Sequence, residues 1–312
     1  MNYYIVCPAK IQSGGPELAH QMCCELNKLG KNAYMYYAES NRLEPVDVDA
    51  PQKYLKYKTT HVTDIREVEN GDNIVIVPEA ATAWISGIKN CKKALWWMSV
   101  DNYIHNTKEK DLPQIREYVD IHLVQSKYAY EYVKNTVGVS EDKIMYVSDY
   151  IGEKYLLDIP EVKRMNIALY NPKKGLERIK PVIENTSDFL KWIPLINLSE
   201  KDMIAYMHIS KIYVDFGNHP GKDRIPREAA ACGCCVVTNR RGSATYYEDV
   251  SIPDKYKIDD ESNIIMISSI LNKICTDYNN VHKDFNDYRE KIFNEKEKFC
   301  KEIEAFTKKI EK

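Results

Sequence analysis

Glycine is scarce in this chain, 12 residues of 312, beside 23 tyrosines. No apolar run approaches the roughly 18 residues that cross a bilayer as a helix, so no membrane span is expected. The opening MNYYIVCPAK has no basic segment followed by a long apolar stretch, so no secretory signal is expected. Neither sign of charge dominates: 44 Lys and Arg against 46 Asp and Glu leave a net charge of −2. Proteins that grip long nucleic acid through a basic face carry a positive excess, so nucleic acid is not an expected partner. The nine cysteines lack metal-binding spacing. Cys232, Cys234 and Cys235 stand too close together, with no second His/Cys pair nearby, and read as buried reduced thiols. G-x-G-x-x-G, a Walker loop and G-x-S-x-G are all missing, which removes the usual support for dinucleotide, ATP and serine-hydrolase chemistry.

What is present is the balance of a globular protein, 44% hydrophobic and 29% charged. At 312 residues, the chain is about twice a domain of ~150 residues, which predicts two domains. Short apolar runs alternate with helical patterns, the mark of a parallel sheet with crossover helices. Strands are predicted at 3–7, 32–37, 74–77, 94–98, 121–124 and 143–147. After the turn SGGPE, Leu18, Met22, Leu26 and Leu29 recur at helical spacing, and Gly30 closes the helix. Residues 38–72 are polar and proline-punctuated and read as an irregular excursion. The pattern restarts near 160, with strands at 166–170, 189–193, 211–215 and 234–238. Helices are predicted at 176–184, from Ser199, and at 227–232; Ser199 with Glu200 and Asp202 is a good N-terminal signal. From about 261 the chain reads as helical, and Ile292, Phe299, Ile303, Phe306 and Ile310 form one apolar stripe. The predicted class is α/β, with Rossmann-like domains over 1–159 and 160–312 and a terminal helix packing back.

Three segments carry possible chemistry. SGGPE (13–17) lies between the first strand and helix, where helix N-termini offer free N–H groups. Gly14 and Gly15 would let a phosphate or sugar approach the backbone, and Pro16 suits a first helical turn; a plain tight turn explains the same residues. NPKKG (171–175) occupies the equivalent place in the second half, where Lys173 and Lys174 suit a diphosphate or are simply solvated. The densest segment is DFGNHPGKDRIPREAAACGCCVVTNRRGSA (215–244). Glu228 sits near a helix start, where a carboxylate can accept hydrogen bonds from the two hydroxyls of a ribose. Lys222, Arg224 and Arg227 add cations suited to phosphate. Upstream, Trp96, Trp97, Asp101, Tyr103 and His105 follow a strand. Aromatic rings there could stack on an acceptor, although neighbouring strand residues point to opposite faces and at least one Trp belongs in a core. Asp47 and Asp49 form a D-x-D, but within the excursion rather than after a buried strand, so no metal is expected there.

Taken in order, these segments resemble the retaining glycosyltransferases of the GT-B fold, the large family 4 class. REAAACGCCVV resembles that family's Glu-Ala-small-small-Gly stretch, and GSATYYEDV the turn that follows it. SGGPELAHQMCCELNKLG resembles the N-terminal glycine-loop helix, NPKKG the strand–Lys–Gly element, and HLVQSKYA (122–129) the strand-then-Ser helix. The resemblance spans most of the chain. It implies parallel sheets facing across a cleft, with the first domain on the acceptor side and the second binding the nucleotide sugar. It places Glu228 on the nucleotide ribose, Lys173 or Lys174 on the donor diphosphate, and Gly14 and Gly15 facing the donor. Arg224, His219, Gly221, Ser243 and Ala244 would complete the nucleotide site, and Lys174, Lys173, Asp101 and Asp223 would carry the chemistry.

Two departures from the family pattern stand out. The first Glu of its E-x7-E pair falls at Pro220, leaving Asp223 or His219 as candidates for the donor-sugar contact. Its His-Asp pair after the fourth strand appears here as Val100-Asp101. The implied activity is transfer of a sugar from a UDP- or GDP-sugar to a saccharide or lipid-linked acceptor in cell-surface glycan synthesis. The resemblance implies no cofactor and no metal, since cations and helix N-termini would stabilise the departing diphosphate. It also implies a cytoplasmic location, with room for peripheral contact at the inner membrane face. A sugar-nucleotide epimerase of the same fold, or a noncatalytic nucleotide-sugar-binding partner subunit, remains open, the latter because of Pro220.

Overall fold

The computed structural model describes residues 1–39 and 43–312; residues 40–42 of the predicted excursion lie outside the described residues. The chain forms two compact units, Met1–Asp149 with Lys296–Lys312, and Tyr150–Glu295.

The first unit is built on six parallel strands: β1 (Asn2–Pro8), β2 (Asn32–Ala38), β3 (Ile74–Pro78), β4 (Lys92–Trp97), β5 (Ile121–Val124) and β6 (Ile144–Tyr146). Helices α1 (Gly14–Lys28), α2 (Ile65–Val68), α3 (Val100–Thr107), α4 (Leu112–Tyr118) and α5 (Lys127–Tyr132) connect them. The sheet order is β2-β1-β3-β4-β5-β6. The centre of β1 and all of β3 are buried, which is why their sequences run continuously apolar instead of alternating. Leu18, Met22 and Leu26 face this core from α1, and Gly30 closes the helix at φ 75°.

The second unit repeats the plan with β7 (Met165–Tyr170), β8 (Lys191–Pro194), β9 (Ser210–Asp215), β10 (Cys235–Asn239) and β11 (Lys257–Ile258) in the order β11-β10-β9-β7-β8. Its helices are α6 (Leu176–Thr186), α7 (Glu200–Ile209), α8 (Arg224–Ala231), α9 (Ile264–Thr276), α10 (Tyr278–Val281) and α11 (Asn286–Phe293). The Ser199 side chain caps α7 by accepting from the Asp202 N–H at 3.1 Å. Ala229, Ala230 and Ala231 are fully buried, so the small face of α8 packs closely beside β9 and β10.

Three expectations change. The predicted boundary at 159 falls inside the second unit, because Ile151 and Tyr155 pack in that unit's core. The terminal residues 296–312, counted with the second domain but expected to pack back, belong to the first unit. There α12 (Glu295–Ile310) sets Phe306 edge-on to Tyr3 at 6.3 Å, and Glu311 accepts from the Tyr3 hydroxyl at 2.5 Å. The predicted apolar stripe is accordingly split: Ile292 ends α11 in the second unit's core, while Phe299, Ile303, Phe306 and Ile310 are buried on α12. Finally, the excursion is more ordered than its polarity suggests. A 3₁₀ turn at Gln52–Tyr57 buries Tyr54, and the Val62 N–H donates to the Met35 carbonyl on β2 at 3.0 Å. Its order comes from tertiary hydrogen bonds, which leave no periodic trace in sequence.

The tyrosines acquire a common role. Tyr3, Tyr103 and Tyr213 are buried, and their hydroxyls donate to Glu311, Asp111 and Asp215 respectively. Tyr54 donates to the Ser13 carbonyl, and Tyr278 to that of Gly233. The hydroxyls of Tyr3, Tyr54 and Tyr278 tie segments far apart in sequence while their rings pack against apolar surface, a combination phenylalanine cannot supply. Among the described residues, no helix is long and apolar enough to cross a membrane.

Candidate functional site

Both sheet orders place the first strand of the unit between the second and the third. Successive connections then leave toward opposite sides, and a crevice opens at the carboxyl ends of the strands, where α/β proteins bind ligands. In the first unit the switch lies between β1 and β3; in the second it lies between β7 and β9. The glycine turn follows β1, NPKKG follows β7, and DFGNHPGKD follows β9. The three sequence motifs therefore lie at the two switch points.

In the second unit, Gly175 is the N-cap of α6 at φ 65°. A side chain there would also meet the Phe216 carbonyl oxygen at 2.4 Å. The β7 turn thus lies directly against the end of β9. Gly217 closes the fit from the other side, since a Cβ on it would stand 2.7 Å from Lys174 Cβ. Lys174 is held at this junction, one-third exposed, while Lys173 is exposed on the turn.

The loop after β9 is pinned by the turn after β10. The Ser243 N–H donates to the His219 carbonyl at 2.8 Å, and the Ser243 hydroxyl donates to the Gly221 carbonyl at 2.6 Å. Gly242, at φ 54°, permits this approach, because any Cβ would fall 2.0 Å from the His219 carbonyl oxygen. Ser243 and Ala244 are buried, so in this structure they shape the loop from behind.

Inside the loop a chain of charges runs from strand to turn. The Tyr213 hydroxyl donates to Asp215 Oδ2 at 2.9 Å, and the Gly217 N–H to Asp215 Oδ1 at 3.0 Å. His219 places Nε2 3.8 Å from Asp215 Oδ1 and Nδ1 3.1 Å from Asp223 Oδ2. Lys174 Nζ donates to both Asp223 oxygens, at 2.8 and 3.0 Å. Burial opposes a charge on His219, but the bond it donates to Asp223 and the field of Asp215 outweigh it and raise its pKa. Burial likewise opposes the Asp223 carboxylate, and His219 and Lys174 together lower its pKa despite that. Asp215, His219 and Asp223 converge closely enough to suggest a cation site. Their positive partner is already in place, however: the Lys174 ammonium sits on Asp223, and Asp215 has two donors of its own. The set reads as a charge network rather than as ligands.

Glu228 is buried in α8 at 8% exposure, four residues after Arg224 opens that helix. Its neighbour Arg227 is buried and holds the loop's backbone, donating through Nε to the Asp223 carbonyl at 3.1 Å and through Nη2 to that of Lys222 at 2.9 Å. Its remaining arm meets Glu295 at 2.7 Å, and Lys222 pairs with the other oxygen of Glu295, also at 2.7 Å. Arg227 is therefore a structural clamp and not the free phosphate cation its sequence position suggests. Pro220, where the resemblance calls for a Glu, offers no side-chain hydrogen bond.

In the first unit, Gly14 and Gly15 form the first turn of α1, where backbone N–H groups have no helical partner. The space over Gly15 is bounded by Met98, 3.7 Å from where a Cβ would stand. The glycine turn thus adjoins the end of β4. Asp101, in the first turn of α3, accepts from the Tyr128 hydroxyl at 2.7 Å. Trp96 and Trp97 are both buried, donating to the Val147 carbonyl and to His122 Nδ1, so neither is an exposed stacking platform. The D-x-D pair is likewise accounted for in part, since Asp47 contacts His61 at 2.8 Å.

Three residues of this arrangement were not singled out from sequence. Asp215 ends an apolar strand and could have been noticed as a lone acid at a strand's carboxyl end. Glu79 follows β3 and is buried, accepting from the Met98 N–H at 3.1 Å; burial pushes its carboxyl up to about 7 against that bond. Glu295 gives no signal, because it is one acid among many in a charged helical tail.

No protein-family model and no curated protein matches the chain. Solved structures do. The chain is similar to a glycosyltransferase from Rickettsia africae, at 14% identity and TM-score 0.62, covering 99% of this chain and 97% of the other. It is similar to HepE of Anabaena, solved in complex with UDP-glucose, at 11% identity and TM-score 0.71, covering 98% and 99%. It is also similar to the lipopolysaccharide outer core galactosyltransferase WaaB, at 13% identity and TM-score 0.67, covering 99% and 100%. At such identities the likeness establishes the fold, and this chain has the GT-B fold of two Rossmann-like α/β units.

Proposed function

We propose that the protein is a glycosyltransferase that moves a sugar from a nucleoside-diphosphate sugar, UDP- or GDP-linked, to a saccharide or lipid-linked acceptor. The observation that carries this reading is the carboxyl edge of the second sheet. There Lys174, the N-terminus of α6 and the helix bearing Glu228 are brought to one switch point by motifs far apart in sequence. Glu228 would accept from the ribose hydroxyls. Lys174 and the first N–H groups of α6 would face the diphosphate. The sugar C1–O bond breaks with its electron pair going to the phosphate oxygen, the acceptor hydroxyl oxygen forms the new bond to C1, and the hydroxyl proton passes to the departing diphosphate. The charge that develops on the diphosphate is what a fixed ammonium and a helix N-terminus stabilise. Asp101 would serve the acceptor side, and no cofactor is invoked.

The fold shared with a protein solved with UDP-glucose and with a galactosyltransferase supports the reading. So does the order of the motifs along the chain. A cytoplasmic site, where nucleotide sugars are available, fits the same chemistry. Isothermal titration with UDP, GDP and ADP and their sugars tests it: binding of one of them is expected, and absence of binding to all would sink the enzyme reading. Pro220 favours one second reading, a subunit that binds the nucleotide sugar without turning it over. Binding without transfer or hydrolysis across a broad acceptor panel is the result that would select it.

A further inference from the structure

The cation assigned to the donor diphosphate is already occupied. Lys174 Nζ holds both oxygens of Asp223, at 2.8 and 3.0 Å. Two of the three N–H donors of this ammonium are thus committed to a carboxylate, so a diphosphate that engages more than one of them must displace it. In most settings that displacement would leave a buried anion unpaired, at a cost that would hold the lysine in place. Here a second partner stands ready. His219, itself 1% exposed, places Nδ1 3.1 Å from Asp223 Oδ2.

We propose that Asp223 is a specificity and release residue that competes with the donor diphosphate for Lys174, and that His219 holds the Asp223 carboxylate whenever the lysine turns to phosphate. This inference rests on the reading of the edge as a diphosphate site. The groups facing His219 are Asp215 and Tyr213 of β9, Asp223 of its own loop and Lys174 of the β7 turn. Two carboxylates against one ammonium make a charged imidazole the natural occupant of the gap between them, in line with its raised pKa. Among the described residues its Nε2 has no acceptor nearer than Asp215 at 3.8 Å, so no hydrogen bond fixes the ring on that side.

Two consequences follow from one exchange. Weak anions fail to displace a bidentate carboxylate, so the lysine answers chiefly to a ligand of high local charge such as a diphosphate. After transfer, the returning carboxylate takes the lysine back and shortens the stay of the nucleoside diphosphate product. Asp223 in this role does not replace the sugar contact missing at Pro220, because its oxygens are directed to Lys174 and His219.

The test compares the full-length protein with Asp223→Asn, His219→Gln and Lys174→Met, titrated calorimetrically with UDP, GDP and ADP. Asp223→Asn keeps shape and the bond from His219 but loses the charge, and is expected to tighten the bound nucleotide about tenfold, the size of one charge-assisted bond. His219→Gln removes one of the cations that hold Asp223 and is expected to weaken nucleotide binding several-fold. The gain from Asp223→Asn must vanish when Lys174→Met is added. Opposite signs for the two variants separate exchange from simple structural damage, which would weaken both. If the wild type binds and Asp223→Asn binds equally or more weakly, the exchange is wrong while the diphosphate site stands. Should Asp223→Asn fail to fold, unchanged or tighter binding by His219→Gln overturns the proposal on its own. If neither the wild type nor any variant binds a nucleotide, the functional reading fails first and this inference goes with it.

Discussion

Arg227 donates through Nη1 to Glu295 Oε2 at 2.7 Å, and both side chains are buried. Glu295 is the last residue of the second unit and the first of α12. Its carboxylate pairs with two cations, Arg227 and Lys222, that belong to the loop and helix of the candidate site. Removing one partner of such a pair leaves uncompensated charge in a dry environment. Glu295→Ala is expected to destabilise the fold by about 3–5 kcal/mol, read as a lower urea midpoint. A loss under about 0.5 kcal/mol, ordinary for surface sites, would show that solvent already screens the pair.

Glu228→Gln separates the site from the scaffold. The amide is the same size as the carboxylate, so the melting temperature should hardly move. Nucleotide affinity should fall about tenfold, because a charged acceptor toward the ribose hydroxyls becomes a neutral one. Equal affinity in both proteins would remove Glu228 from the binding site.

Gly175 and Gly242 are demanded by geometry rather than by flexibility. Both have positive φ, and a Cβ on either would strike backbone oxygen, of Phe216 or of His219. Gly175→Ala and Gly242→Ala should each cost more than about 2 kcal/mol, since strain at positive φ is joined by a steric clash. Gly71 has negative φ and no atom within 4 Å of its would-be Cβ, so Gly71→Ala is the control and should be neutral. Equal effects at all three positions, measured by chemical denaturation, would contradict the assignment.

The stability of the first unit should carry two opposed pH signatures. His122 accepts from the Trp97 indole at 3.0 Å, and burial pushes its pKa down from 6.5 to about 3. Its contribution is whole above pH 6.5 and is lost as pH falls from there toward 3. Glu79 behaves in the opposite sense, since burial raises its carboxyl from 4.5 to about 7. Its contribution is whole below pH 4.5 and is lost as pH rises through 7. Glu79→Gln should therefore stabilise the protein above pH 7, by up to ~3 kcal/mol, and change little at pH 4. His122→Asn should flatten the acid limb. Urea midpoints measured from pH 4 to 8 check both, and a Glu79→Gln gain that is the same at every pH would refute the assignment.

The sequence by itself determined most of the local structure and the class of fold. Continuous apolar runs such as those of β1 and β3 announce strands buried on both faces, and Leu18, Met22 and Leu26 announce the helix that covers them. Glycine scarcity made the remaining glycines informative: Gly30, Gly175 and Gly242 all have positive φ. These features are legible because hydrophobic period and backbone sterics act over a few neighbouring residues. Tertiary structure alone decided what depends on distant partners. Lys174 meets Asp223 from 49 residues away, and Arg227 meets Glu295 from 68, so one lysine is a candidate ligand contact while one arginine is a buried clamp. The same is true of the tyrosines, whose hydroxyls find carboxylates and carbonyls far along the chain. It is true of residues 296–312 as well, whose apolar stripe says that they are buried but not against which unit. Charge pairing and packing are set by proximity in space, and no local period encodes it.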